Sequence, residues 1–190
     1  MSTYLNALRE ARTVLDLLTA LEPQLLSAAD LCTNALKHGN KLLVCGNGGS
    51  ASDAQHLVGE LVGRYILNRK PLPAIALNTD GATITCISND FSYDQIFSRQ
   101  LEALAKPGDV LIVFTTSGDS PNIIRCLNMA RMLQIKSVAF LGRDGGNARA
   151  LADYPLVLPH MATARIQEGH HFLLHSLMDQ IEADFDLATA

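Results

Sequence analysis

The chain has 190 residues, 48% apolar and 18% charged, which supplies one sizeable core, argues against disorder and leaves little length for a second domain. Fifteen Lys and Arg against 19 Asp and Glu give a net charge of −4, so a mainly electrostatic grip on nucleic acid or an anionic membrane finds no support, and any phosphate partner must be held locally. Cys32, Cys45, Cys86 and Cys126 contain no CxxC pair and lie mostly in apolar stretches, the usage of reduced cytosolic thiols. No apolar run approaches the ~20 residues of a membrane span, and a soluble cytoplasmic protein is expected.

Leu5, Leu8, Leu15 and Leu18 recur at helical spacing around Arg9, Arg12 and Asp16, predicting an amphipathic helix of about four turns. Pro23 interrupts the pattern, and a second helix is predicted from Gln24 to His38, with Gly39 as a left-handed stop. This extension must bury its apolar stripe on its own sheet or on another subunit. From Lys41 onward short apolar runs alternate with longer helical ones. Strands are predicted at Leu42 to Cys45, Ala74 to Leu77, Val110 to Phe114, Ser137 to Leu141 and Leu156 to Leu158. Their near-continuous apolarity suits strands buried on both faces, with helical crossovers between them. Those helices are predicted at Ala51 to Leu67, Ser92 to Ala105, Pro121 to Leu133 and Ala164 to Phe185, with a short one near Asn147 to Ala152. A single α/β domain over residues 1–190 follows, with the helical extension at 1–39 and a five-stranded parallel core at 40–185.

The first strand runs into Cys45-Gly46-Asn47-Gly48-Gly49-Ser50 just before a helix. Glycines there permit a tight turn, and backbone amides with the positive end of the helix dipole attract an anion. A plain tight turn capped by Ser50 is the competing reading. The stretch is neither a Walker loop nor Gly-x-Gly-x-x-Gly, which disfavours nucleotide binding. After the third strand, Thr115-Thr116-Ser117-Gly118-Asp119-Ser120-Pro121 offers several hydroxyls before another helix. Ser120-Pro121 alone is an ordinary helix start, but two such loops at adjacent strand ends would form a phosphate pocket.

His56 and Glu60 are four apart on the helix after the first loop, with Arg64 four further on. A Glu60 to Arg64 ion pair beside a satisfied His56 is one reading, and half of a metal or acid–base site is the other. The last helix carries Gln167, His171 and His175 on one ridge, beside His170. His56, Glu60, Gln167 and His175 together offer nitrogen and oxygen ligands suited to Zn²⁺ or another divalent transition metal. His170 and His171 are read as subunit contacts, solvated side chains or outer donors, and Arg64, Arg69 and Lys70 as a solvated helix end and loop.

From about Gly39 to Ile181 the chain resembles the sugar-isomerase (SIS) domain family, and within it the phosphoheptose isomerases, which convert sedoheptulose 7-phosphate to glycero-manno-heptose 7-phosphate. The resemblance rests on the two loops above, the His56 to Glu60 spacing, Asn89-Asp90-Phe91, and Arg165-Ile166-Gln167-Glu168 followed by His175. It implies a three-layer αβα sandwich around a flavodoxin-like sheet, and a homotetramer with active sites between subunits, built on the leading helices. It also implies one zinc per subunit on His56, Glu60, Gln167 and His175, with Glu60 as general base and His175 as general acid. Asn47, Gly48, Gly49 and Ser50 would contact substrate, with Asn89 and Asp90 facing sugar hydroxyls. Thr115, Thr116, Ser117 and Ser120 would hold the phosphate, with Gln167 also touching the substrate. Two departures stand out: Thr115 where relatives usually carry Ser, and Asp119, whose carboxylate would repel a phosphate unless turned outward. A non-catalytic branch of the family, the tetrameric factor that associates with the bacterial replication initiator, is the alternative. That branch lacks the carboxylate and imidazole that Glu60 and His175 provide.

Overall fold

Short apolar runs without period-two alternation are stable as strands only when both faces are covered. The computed structural model, which describes residues 2–185, has this arrangement. Strands β1 (Leu42–Gly46), β2 (Ala74–Ala76), β3 (Val110–Thr115), β4 (Lys136–Gly142) and β5 (Tyr154–Leu158) pair in parallel in the order β2-β1-β3-β4-β5. The central β1, β3 and β4 are buried except at Lys136. Pro155, which cannot donate a ladder hydrogen bond, sits in the edge strand β5.

Helices cover both faces, as the three-layer expectation requires. On one side α1 (Thr3–Leu18), α2 (Glu22–Lys37), α3 (Gly49–Val62) and α8 (Thr163–Asp184) share a core that includes Val14, Leu25, Ala28, Leu57, Leu61 and Leu177. On the other, α4 (Gly81–Asp90), α5 (Ser98–Leu104), α6 (Pro121–Met132) and α7 (Ala148–Leu151) close over Ile87, Leu101, Ile123, Leu127 and Ala148. The single domain expected over 1–190 extends past this at Met1 and at residues 186–190, which lie outside the described residues.

The extension buries part of its apolar surface on its own core. Of the leucines assigned to the stripe of α1, Leu18 is buried beside Val14, whereas Leu5, Leu8 and Leu15 face outward with Tyr4 and, from α2, Leu26. Pro23 does not separate the two helices widely; it lies in the first turn of α2, one 3₁₀ turn after α1, where a missing N–H costs nothing.

Two helical expectations are corrected. Residues 92–105 do not form one helix: a 3₁₀ turn at Tyr93–Gln95 precedes the short α5, and the regular helix of this region is α4. Thr83, Ile84, Thr85 and Ile87 are β-branched and read weakly as helix, but Asp80 caps it by accepting from the Ala82 and Thr83 amides at 3.0 and 3.3 Å. α3 ends at Val62 rather than Leu67 because Arg69 folds back onto its last turn, donating to the carbonyls of Glu60 at 2.5 Å and Leu61 at 2.8 Å. The Arg69 guanidinium also meets Glu182 Oε1 at 2.8 Å and is 8% exposed, so it is buried structure and not a solvated loop.

Candidate active site

β1 and β3 are neighbours in register, Gly46 opposite Phe114, so the two polar loops leave the sheet side by side. This is where strand order reverses, the usual ligand position in an open parallel sheet. Between the loops lies a cavity of about 250 Å³, lined by Asn47, Gly48, Gly49 and Ser50 from the first, Thr115, Thr116, Ser117 and Ser120 from the second, and Thr163 and Gln167 from α8. Helices α3, α6 and α8 all begin at its wall, and their positive ends suit a phosphate even though, among the described residues, no Lys or Arg lines it.

Of the two competing capping readings, Ser120-Pro121 is indeed the start of α6, whereas Ser50 does not cap α3. Gly48, with φ 58°, is the N-cap of α3, and Ser50 lies inside its first turn. Ser120 precedes α6 without a side-chain capping bond. Thr115 accepts from the Gly118 amide at 3.2 Å and Ser117 from the Asp119 amide at 3.2 Å, so these hydroxyl oxygens shape the loop. A Cβ at Gly49 would collide with the Gln167 side-chain amide, so glycine leaves that amide its place against the start of α3. Asp119 is turned outward: its Oδ1 accepts from the backbone and side-chain nitrogens of Asn147, both at 2.9 Å.

Asn47 is locked by a reciprocal amide pair with Asn122 at 2.9 and 2.8 Å and by the Tyr93 hydroxyl at 3.0 Å. Asn122 and Tyr93 carried no signal in the sequence, since each meets Asn47 only through the fold. Asn89 and Asp90 are exposed at the end of α4, bonded to each other at 2.8 Å, and do not line the cavity.

A second group of polar side chains occupies the seam between α3 and α8. His56 Nε2 lies 2.9 Å from His175 Nε2 and 3.2 Å from Glu60 Oε1. His171 packs against both histidine rings, with centroids at 4.6 and 4.7 Å, and its Nδ1 lies 3.2 Å from Asp53 Oδ1. Tyr65 stacks on His175 at 5.7 Å. Glu60 therefore pairs with His56 and not with Arg64, which lies beyond the end of α3 and reaches the Ile66 carbonyl at 3.4 Å. Gln167 stands two turns before His175 on α8, roughly 12 Å along its axis, and belongs to the cavity wall.

Burial, aided by His171 and His56, lowers the His175 pKa against the opposing pull of Glu60 and Asp179. Burial also raises the Asp53 carboxyl, with His171 and His56 opposing. Of the readings for His170, subunit contact, solvated side chain or outer donor, the first two are excluded by its burial. It is fully buried near Phe114 and Phe140, and burial pushes it down to about 4, with the Leu141 backbone opposing only in part.

The donor set fits a transition metal. Adjacent ligands of a tetrahedral zinc lie roughly 3.3 Å apart for bonds near 2.0–2.1 Å, and the His56–His175 and His56–Glu60 separations of 2.9 and 3.2 Å fall close to this. One nitrogen from each of His56, His171 and His175 lies within 4.8 Å of the others. Sequence reading left out His171 and Asp53, although His171 sits between Gln167 and His175 on the ridge already singled out.

Comparison with known proteins follows the same outline. The SIS domain profile matches residues 3–142. The chain belongs to the SIS domain family. Within that family it is 51% identical over 164 residues to the phosphoheptose isomerase of Citrifermentans bemidjiense, covering 86% of this chain and 85% of the relative. It is 48% identical over 182 residues to that of Geobacter sp. strain M21, covering 94% and 95%. Among solved SIS structures, the phosphoheptose isomerase of Francisella tularensis superposes with a TM-score of 0.89 at 38% identity, and that of Neisseria gonorrhoeae with 0.85 at 39%, each match covering 95% of both chains.

Proposed function

We propose that this SIS chain is a phosphoheptose isomerase, an aldose–ketose isomerase that interconverts sedoheptulose 7-phosphate and D-glycero-D-manno-heptose 7-phosphate. The observation that carries the proposal is the convergence of Glu60 and His175 on His56 between α3 and α8, the helices whose first turns wall the anion cavity, with names of relatives about half identical in sequence in support. The phosphate anchors against the helix termini, Thr116 and Ser120, while Gln167 spans toward the sugar. Held at its remote end, the substrate presents its C1–C2 unit to the seam, so binding energy restrains the reacting carbons.

Glu60 removes the proton from the carbon beside the carbonyl, giving an enediolate, and returns it to the neighbouring carbon. His175, whose pKa is lowered by burial, moves the hydroxyl proton between O1 and O2. His56, Glu60, Gln167 and His175 are the proposed zinc ligands. A divalent metal held by them would supply Lewis-acid stabilisation of negative charge on the substrate oxygens. A carboxylate committed to a metal is a poor base, so Glu60 must be released for the proton step.

The outward-facing Tyr4, Leu5, Leu8, Leu15 and Leu26 support the assignment of residues 1–39 to a homotetramer interface, with active sites between subunits. Tyr93, which follows Asp90 closely and bonds Asn47, supports placing Asn89 and Asp90 near the sugar. Among the described residues no helix is long and apolar enough to cross a membrane, and the protein is assigned to the cytoplasm. The non-catalytic reading is not favoured, because the base and the imidazole that reading lacks meet in one seam. Incubation with sedoheptulose 7-phosphate and chromatographic detection of the aldose tests the activity; absence of product with and without added zinc removes it.

A further inference from the structure

A side-chain amide has two hydrogens and two lone pairs, so counting its partners fixes what it leaves for a ligand. The Ile123 backbone N–H, which can only donate, lies 3.0 Å from Asn122 Oδ1 in the first turn of α6 and is shared with the Ser120 carbonyl. Asn122 therefore turns its NH₂ toward Asn47, donating to Asn47 Oδ1 at 2.8 Å and accepting from Asn47 Nδ2 at 2.9 Å. The Tyr93 hydroxyl donates to the same Asn47 oxygen at 3.0 Å. Both lone pairs of that oxygen are thereby filled. Among the described residues one N–H of Asn47 is left over, on a side chain that lines the anion cavity. We propose that Asn122 and Tyr93 are positioning residues that make Asn47 a donor only, so that it takes an acceptor oxygen of the sugar phosphate. This deepens the isomerase reading and rests on its substrate.

The physical need comes from the cavity itself. Among the described residues no Lys or Arg lines it, so anion affinity depends on dipoles that all point the same way. An amide free to turn would spend part of its time with its carbonyl toward the phosphate, which repels it. Asn122 prevents this from a buried position, 1% exposed, where a fully partnered polar group holds one geometry. It stands at the start of α6 after β3, whereas Asn47 follows β1, so the amide pair also ties the two loops together. Tyr93 acts from outside. Its ring is 55% exposed, and its hydroxyl links the 3₁₀ turn at Tyr93–Gln95 to the first loop. With its oxygen occupied twice, Asn47 cannot accept a sugar hydroxyl hydrogen, and donation is what it has to offer the substrate.

The test is a double-mutant cycle on the full chain, read as the calorimetric affinity for inorganic phosphate and as KM and kcat for sedoheptulose 7-phosphate. Asn47→Ala is expected to weaken binding ~10–100-fold, the worth of a hydrogen bond to a charged group. Asn122→Ala should weaken it ~3–10-fold and Tyr93→Phe ~2–5-fold, the range of a neutral hydrogen bond. Neither should cause a further loss in the Asn47→Ala background, because both act through Asn47. Losses with both ligands place the acceptor oxygen on the phosphate, and losses confined to the KM of the sugar phosphate place it on the sugar; each supports the proposal. Thermal unfolding controls for misfolding, and Tyr93→Phe, at an exposed ring, carries the cycle if Asn122→Ala does not fold. Additive losses overturn the proposal, since residues that merely shape the cavity would weaken binding whether or not Asn47 is present. So does wild-type behaviour toward both ligands in the folded variants. Coupled losses of phosphate affinity in a chain that does not turn over sedoheptulose 7-phosphate would support the positioning role and remove the isomerase reading, which keeps the two failures distinguishable.

Discussion

The anion cavity and the histidine seam lie along the same two helices but are made of different material. The cavity is backbone, hydroxyls and the Asn47 and Gln167 amides, drawn mostly from the loops at the ends of β1 and β3, and among the described residues no side chain bearing a formal charge lines it. The seam is made of the titratable side chains of Asp53, His56, Glu60, His171 and His175, from two helices far apart in the chain, partly open to solvent. A site made of amide dipoles holds a constant charge pattern and suits an anchor. A site made of imidazoles and carboxylates can exchange protons and suits chemistry. Gly49 against Gln167 is where the two meet.

The largest effect is expected from removing the base while keeping its shape. Glu60→Gln should lower kcat by roughly 10²–10⁴-fold, the usual span for a general base, while KM for the sugar phosphate changes little. Normal turnover in a steady-state assay would break the division of labour between the two regions. Next comes the support beneath the seam. Arg69→Ala leaves Glu182 without its buried partner and frees the end of α3, and should cost about 3 kcal/mol in urea unfolding. Burial raises the Glu182 carboxyl, but the Leu67 amide, Arg69 and the Ile66 amide together hold it below its ordinary value. Its native pKa is thus lower than its unfolded one. The stabilisation is complete above the unfolded value near 4.5 and is lost as pH falls through the native value. Stability measured from pH 7 down to pH 3 should fall more steeply in the wild type than in Glu182→Gln.

Smaller effects separate the anchor from the chemistry. Ser120→Ala and Thr116→Val each remove a hydroxyl donor to a charged phosphate, worth about 1.5–3 kcal/mol, and should raise KM ~10–100-fold. Zinc affinity should stay constant in both; a matching loss of metal would mean that the two regions are not separable. Asp119→Asn should be the mildest, below about twofold in phosphate affinity as calorimetry reads it, because the carboxylate already faces Asn147. A large gain in affinity would show that the charge does reach the cavity.

Both loops were legible because their meaning is local. Glycines and hydroxyls between a strand and a helix point to an anion whatever else the chain does, and the strand ends needed only parallel order to meet. His56 with Glu60, and Gln167 with His175, were legible as helix-face pairs for the same reason. His171 was visible on that ridge but undecided, since Asp53 faces it across a seam between α3 and α8 rather than along one helix. α4 was missed because its β-branched residues obscured a good Asp80 cap. The end of α3 and the burial of Arg69 were misread because they depend on Glu182, separated from Leu67 by 115 residues.

Apolar runs, loop chemistry and helical spacing by themselves determined the parallel strands, the two polar loops that follow β1 and β3 and the shared helix face of His56 and Glu60, because each is a property of neighbours within a turn or a strand. Only the packed structure decided that His171 and Asp53 join the seam, that Asn122 and Tyr93 brace Asn47, that His170 is core, and that α1 turns Leu18 inward but Leu5, Leu8 and Leu15 outward. Those outcomes depend on which helix faces meet, and a periodic pattern specifies a face without specifying what it will lie against.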